Sequence, residues 1–78
     1  MQARIKLEEI FSDLMIGEQT PVEQRTRVNC LSWDSLMQLN LITAIEQEFG
    51  ISITDDDAVD MSSFSSTLHI LEEKLARV

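Results

Sequence analysis

Ser35-Leu36-Met37-Gln38-Leu39-Asn40-Leu41-Ile42-Thr43-Ala44-Ile45-Glu46-Gln47-Glu48-Phe49-Gly50 is the segment that decides the fold. Gln38, Leu41, Ile42, Ile45 and Phe49 follow the i, i+3, i+4, i+7, i+11 spacing of one buried helical stripe. Asp34 stands where an N-cap belongs, Ser35 is favoured just inside it, and Gly50 suits the C-cap. Upstream, residues 17–34 hold Gly17, Thr20, Pro21, Thr26, Asn29 and Ser32 among scattered apolar residues and read as a long loop. Val22, Val28 and Leu31 are its expected anchors to the core. Before that loop, Ile5, Leu7, Ile10, Phe11, Leu14 and Met15 place a helix over Arg4 to Met15, stopped near Gly17. Downstream, Ile51-Ser52-Ile53 alternates like a strand but has no partner strand, so it reads as a link. Thr54 or Asp55 caps a short helix over 56–61, with acids in its first turn as the dipole prefers. Ser62 is the expected cap of a last helix buried along Phe64, Leu68, Leu71 and Leu75. The fold class is therefore all-α: a small four-helix bundle, three main helices and one short one, with a long loop between the first and second.

Composition narrows the function. The chain has 78 residues and a formal charge of −8. That length suits one domain with a single core and leaves little room for an enclosed catalytic pocket. One cysteine, Cys30, and one histidine, His69, make neither an internal disulfide nor a metal site, so the metal expectation is none. Cys30 reads as a small buried hydrophobe. No apolar run is long enough to span a bilayer, and the N-terminus lacks a secretory h-region. A monomer in the cytoplasm, without membrane insertion, is the expectation.

The charge is unevenly spread. Residues 31–60 contain no Lys or Arg and seven acids: Asp34, Glu46, Glu48, Asp55, Asp56, Asp57 and Asp60. Such a field repels phosphate backbones, which excludes nucleic acid, and attracts basic protein patches. A solvated acidic face kept for solubility is the plainer explanation of the same run. Leu36, Met37 and Leu39 lie off the buried stripe beside these acids. They either pack against the long loop, an arrangement that suits Leu39, or form an adaptable apolar face for protein partners. Trp33 likewise either anchors the loop or meets a partner. A phosphate esterified to Ser35 would sit among helix N-terminal N–H groups at the positive end of the dipole.

Leu31-Ser32-Trp33-Asp34-Ser35-Leu36, Leu41-Ile42 and Ala44-Ile45-Glu46-Gln47-Glu48-Phe49-Gly50-Ile51-Ser52-Ile53 together resemble the acyl carrier protein family. The similarity is strongest from Leu31 to Asp57, and the helical layout extends it to residues 1–78 as a single carrier domain. The resemblance implies a carrier rather than an enzyme. It implies covalent 4′-phosphopantetheine on Ser35, placed there from coenzyme A by a separate Mg²⁺-dependent phosphopantetheinyl transferase, with Asp34 helping to position the coenzyme A and its metal. It implies an acyl group held as a thioester and presented to acyl-loading and acyl-using enzymes with basic or apolar docking patches. The second helix is the family's recognition helix, which makes Trp33, Leu36, Met37, Leu39, Asn40, Glu46, Gln47 and Glu48 the partner-recognition residues. Met37, Asn40 and Gln47 stand where the fatty-acid-synthesis members usually carry acids, and Ser32 replaces a usual Gly. These departures imply a dedicated lipid, polyketide or related pathway. An aminoacyl or peptidyl load is the alternative, although the Gly-Gly pair typical of peptidyl carriers is missing, and so is an unmodified interaction module of the same fold. Two rivals fail on the residues. An EF-hand counted from Asp55 puts Asp60 at the required Gly and Ser66 at the final Glu. A hydrolase built on Ser35 and His69 lacks an oxyanion hole, and His69 falls off the buried stripe.

Overall fold

A computed structural model describes residues 2–76; Met1, Arg77 and Val78 lie outside the described residues. The helices are α1 (Gln2–Leu14), α2 (Ser35–Phe49), α3 (Asp55–Asp60) and α4 (Phe64–Ala76), with a 3-10 turn at Val22–Gln24. The architecture is all-helical, as the apolar spacing requires. None of the described helices is long and apolar enough to cross a membrane.

Local chemistry sets the helix ends. After Leu14 the chain turns through Gly17, whose φ of 86° lies in the left-handed region that a Cβ disfavours. Gly50 ends α2 in the same way at φ 65°. Thr54, not Asp55, caps α3 in a capping box: its Oγ1 accepts the Asp57 N–H (3.1 Å), and the Asp57 carboxylate accepts the Thr54 N–H (3.1 Å). The cap of α4 is Ser63 rather than Ser62. Ser63 Oγ accepts the Ser66 N–H (3.0 Å), and Ser66 Oγ accepts the Ser63 N–H (3.2 Å). Ser62 is displaced because its carbonyl accepts the Arg27 N–H (2.9 Å) in a bridge to the long loop.

The core is built from Leu7, Phe11 and Met15 of α1 and its end, Cys30 and Trp33 of the loop, Leu41 and Ile45 of α2, Met61, and Phe64, Leu68 and Leu71 of α4. Phe11 is its centre, meeting Trp33 edge-on at 5.2 Å and Phe64 at 5.1 Å. Ile42, Phe49 and Leu75, expected on buried stripes, are half-buried and pack against this cluster.

The long loop departs most from expectation. Val22 does pack on the core, but Val28 and Leu31 are 91% and 93% exposed. A polar knot turns them outward: Thr26 Oγ1 accepts the N–H groups of Val28 (3.2 Å) and Asn29 (3.1 Å), and Asn29 Oδ1 accepts the Thr26 N–H (2.8 Å). The true anchors are Cys30, Trp33 and Arg25. Arg25 is buried with its guanidinium on three carbonyls: Nε on Thr20 (2.9 Å), Nη1 on Phe11 (3.3 Å) and Nη2 on Glu18 (3.3 Å). α1 has no basic residue in its own last turn, so this loop cation serves its C-terminal end.

An ion pair ties α3 to α4. Lys74 Nζ lies 2.7 Å from Asp57 Oδ2. That bond, helped by the Thr54 N–H and hydroxyl, lowers the Asp57 pKa from 3.8 to about 2. A depressed carboxylate pKa contributes stability above the unfolded value and loses it as pH falls through the folded one. Stability should therefore drop between about pH 4 and pH 2 by roughly 1 kcal/mol, the partly exposed pair being screened by solvent. Urea midpoints measured across that range should show this limb in the wild type and a flatter one in Asp57→Asn.

Candidate functional site

The site begins where the loop becomes α2. Trp33, 2% exposed, fixes the approach, its ring against Phe11 and its Nε1–H donating to Gln38 Oε1 at 2.6 Å. Trp33 is thus a loop anchor, and its burial removes it from the surface that a partner would touch. Asp34 caps the helix: Oδ1 accepts the Met37 N–H (2.8 Å) and its carbonyl accepts the Gln38 N–H (2.9 Å). Its Oδ2 has no partner among the described residues.

Ser35, the first residue of α2, is exposed, and among the described residues nothing hydrogen-bonds its hydroxyl. The N–H groups of Ser35 and Leu36 also find no acceptor among the described residues, as the first turn of a helix dictates. A phosphate on Ser35 Oγ would meet those N–H groups at the positive end of the dipole, so the local donor set fits a phosphodiester.

Along α2 the other expected recognition residues divide. Leu36 and Leu39 are 67% and 62% exposed, so Leu39 does not pack against the loop. Asn40 and Gln47 are exposed, whereas Met37 is half-buried against the core. Glu46 accepts the Ile53 N–H (2.8 Å) and holds the link after α2. Glu48 pairs with Lys6 of α1 (3.1 Å). Beyond Asp34, the outward face that follows Ser35 is therefore apolar and neutral rather than acidic. Asp55, Asp56 and Asp60 of α3, like Asp34, make no ion pair among the described residues.

Gln38 is a site residue that the apolar pattern placed on the buried stripe without a role. Its Oε1 accepts from Trp33, while its Nε2 donates to Ala58 O (3.1 Å) and Met61 O (3.4 Å). One amide thus joins the loop, α2 and the end of α3. Cys30 is buried, and burial, reinforced by Glu18, pushes its thiol pKa up, which suits a packing role. His69 is exposed on α4 and bonds Glu73 (2.7 Å).

The family model described as "Phosphopantetheine attachment site" matches residues 31–71. The chain is 31% identical to the acyl carrier protein of Thermosynechococcus vestitus over 91% of its own length and 89% of the relative's. It is 32% identical to that of Solidesulfovibrio magneticus over 95% and 96% of the two chains. With the Buchnera aphidicola acyl carrier protein it shares 36% identity over 82% of each.

Proposed function

Because the chain belongs to the acyl carrier protein family, we propose that Ser35 is the residue that carries its 4′-phosphopantetheine and that the loaded protein serves the enzymes of one dedicated pathway. The observation that carries this reading is the Ser35 hydroxyl, exposed and unbonded beside unpaired N–H groups on a capped helix end. When bound, the group supplies a terminal thiol that holds an acyl chain as a thioester. The chain's own residues attach and display it. Asp34 keeps the first turn in place through Oδ1 and leaves Oδ2 for the Mg²⁺ that a transferase brings with coenzyme A. Trp33 and Gln38 hold the approach to Ser35 rigid, so a partner meets the serine in one orientation.

The dedicated pathway is supported by the face that partners would touch. Leu36, Leu39, Asn40 and Gln47 give contact without charge, and the nearby free acids are Asp34 and those of α3. A partner that matches this surface is apolar opposite α2 and basic opposite Asp55, Asp56 and Asp60. The carrier itself contributes no catalytic group, and it acts as the substrate of a phosphopantetheinyl transferase and of acyl-handling enzymes.

Incubation with coenzyme A, Mg²⁺ and a broad-specificity phosphopantetheinyl transferase, followed by intact mass measurement, tests the assignment. The wild type should gain one phosphopantetheine and Ser35→Ala none. An unchanged wild-type mass, or equal gain in the variant, would refute it.

A further inference from the structure

Between the two buried loop anchors, Cys30 and Trp33, stand Leu31, which is 93% exposed, and Ser32, which is half-buried. The backbone turns tightly there, with the Trp33 N–H donating to Cys30 O (3.0 Å). Ser32 does not follow Leu31 into solvent. Its hydroxyl donates at 2.8 Å to Oε2 of Glu18, fourteen residues earlier in the chain. Glu18 is itself fixed just after α1: its N–H donates to Met15 O (3.3 Å), and its carbonyl accepts Arg25 Nη2 (3.3 Å). Hydrogen bonds from Cys30 and Ser32 hold the Glu18 carboxyl below its usual range, so it is an ionised and strong acceptor at neutral pH. Ser32 stands where the acyl carrier family usually has Gly, and a glycine has no hydroxyl to offer this acceptor.

From this contact, and resting on the Ser35 assignment, we propose that Ser32 and Glu18 form a latch that holds the segment leading into Ser35 in the orientation a phosphopantetheinyl transferase binds. Ser32 is thus a positioning residue for loading, and Glu18 is its acceptor. Trp33 and Gln38 fix this segment at its α2 end. The bond from Ser32 ties it to the end of α1 and sets the roll of the peptides between Cys30 and Trp33. Without the latch, the free carrier spreads over several orientations of residues 31–34, of which the transferase binds one. The apparent affinity then falls by the fraction of molecules in that orientation. The bound complex is the same with or without the latch, so the transfer step keeps its rate.

Steady-state loading by a broad-specificity transferase, with the full chain as the varied substrate, tests the latch. Ser32→Ala should raise the KM for the carrier about three- to fivefold and leave kcat and the KM for coenzyme A within about twofold. Glu18→Ala should do the same, since it keeps the backbone carbonyl that receives Arg25. The double variant should be no worse than either single one, because one and the same bond is lost in all three. Ser32→Thr restores the hydroxyl and should load like the wild type, a rescue that a general loss of packing would not give. An unchanged KM in Ser32→Ala would overturn the proposal. So would a loss confined to kcat, additive losses in the double variant, or no rescue by threonine. Circular dichroism melts establish that folded proteins are being compared. If Ser32→Ala does not fold, Glu18→Gln decides against Glu18→Ala: glutamine keeps an acceptor oxygen and should load normally, and equal loss in both would overturn the latch. Failure of the transferase to load the wild type overturns the carrier reading itself, whereas normal loading of every variant overturns only the latch.

Discussion

Phe11→Ala is expected to cost about 4 kcal/mol, the full range for truncating a core phenylalanine being roughly 3–5 kcal/mol. Phe11 has no exposed surface, and it alone touches both other core rings, Trp33 at 84° and Phe64 at 80° to its plane. Removing it forfeits two edge-to-face contacts and leaves a void bordered by α1, α4 and the loop. None of those elements can close the void without dragging a hydrogen-bonded neighbour, since the loop is tied to α4 by Phe64 N–H to Arg25 O (2.9 Å). A chain of this length has on the order of 4–12 kcal/mol of total stability, so the loss should remove about a third or more of it. Its Tm should fall by about 15–30 °C. Phe11→Leu keeps most of the volume and should lose less than half as much. Trp33 is the chain's one tryptophan, so its emission reports the same event at the approach to Ser35. Circular dichroism melts should rank the three proteins wild type, Leu, Ala. Retention of wild-type Tm by Phe11→Ala would show that the rings do not organise the core.

That core was readable because it is periodic. Leu7, Phe11, Leu41, Ile45, Phe64, Leu68 and Leu71 recur at helical spacing, and the physics of burial acts on spacing directly. The caps at Asp34 and Gly50 were readable for the same reason, being local chemistry within a few residues. The loop was not. Val28 and Leu31 are apolar and yet point outward, because the Thr26–Asn29 knot sets the direction of the backbone there and outweighs two side chains. Arg25 is basic and yet buried, because the acceptors that receive it lie on residues as far back as Phe11. Trp33 looked equally suited to core and surface until Phe11 and Gln38 were placed beside it. At the site, Asp34 and Ser35 could be singled out from type and position alone. The neutral face of α2 needed the structure, since only there are Glu46 and Glu48 seen to be occupied within the fold.

Arg25→Met should be the second most damaging single change, at about 2–3 kcal/mol. Methionine retains the aliphatic stem's packing, so the loss isolates the guanidinium. Three carbonyls, those of Phe11, Glu18 and Thr20, lose a charged donor, and the Phe11 carbonyl is buried where water replaces it poorly. Two further consequences separate geometry from charge. Arg25→Lys keeps a cation near the C-terminal end of α1 but presents one ammonium to acceptors spread around a planar fork, so it should recover less than half of the loss. High salt should change the Arg-to-Met difference little, because a buried, hydrogen-bonded cation is screened less than a surface one. Full rescue by Lys would instead make the effect one of simple electrostatics. The damage should also travel along the chain. Arg25 holds the end of α1 with its side chain, whereas the first N–H of α4 is received by its backbone carbonyl, which methionine keeps. The substitution therefore frees the loop from α1 while leaving α2 and the tie to α4 intact. Amide exchange should accelerate across residues 18–30 well before it does in α2. The same loop delivers Trp33 and Asp34 to the start of α2. Loading at Ser35 should therefore slow in Arg25→Met even where most molecules remain folded, with the deficit shared by Arg25→Lys in proportion to its exchange rates.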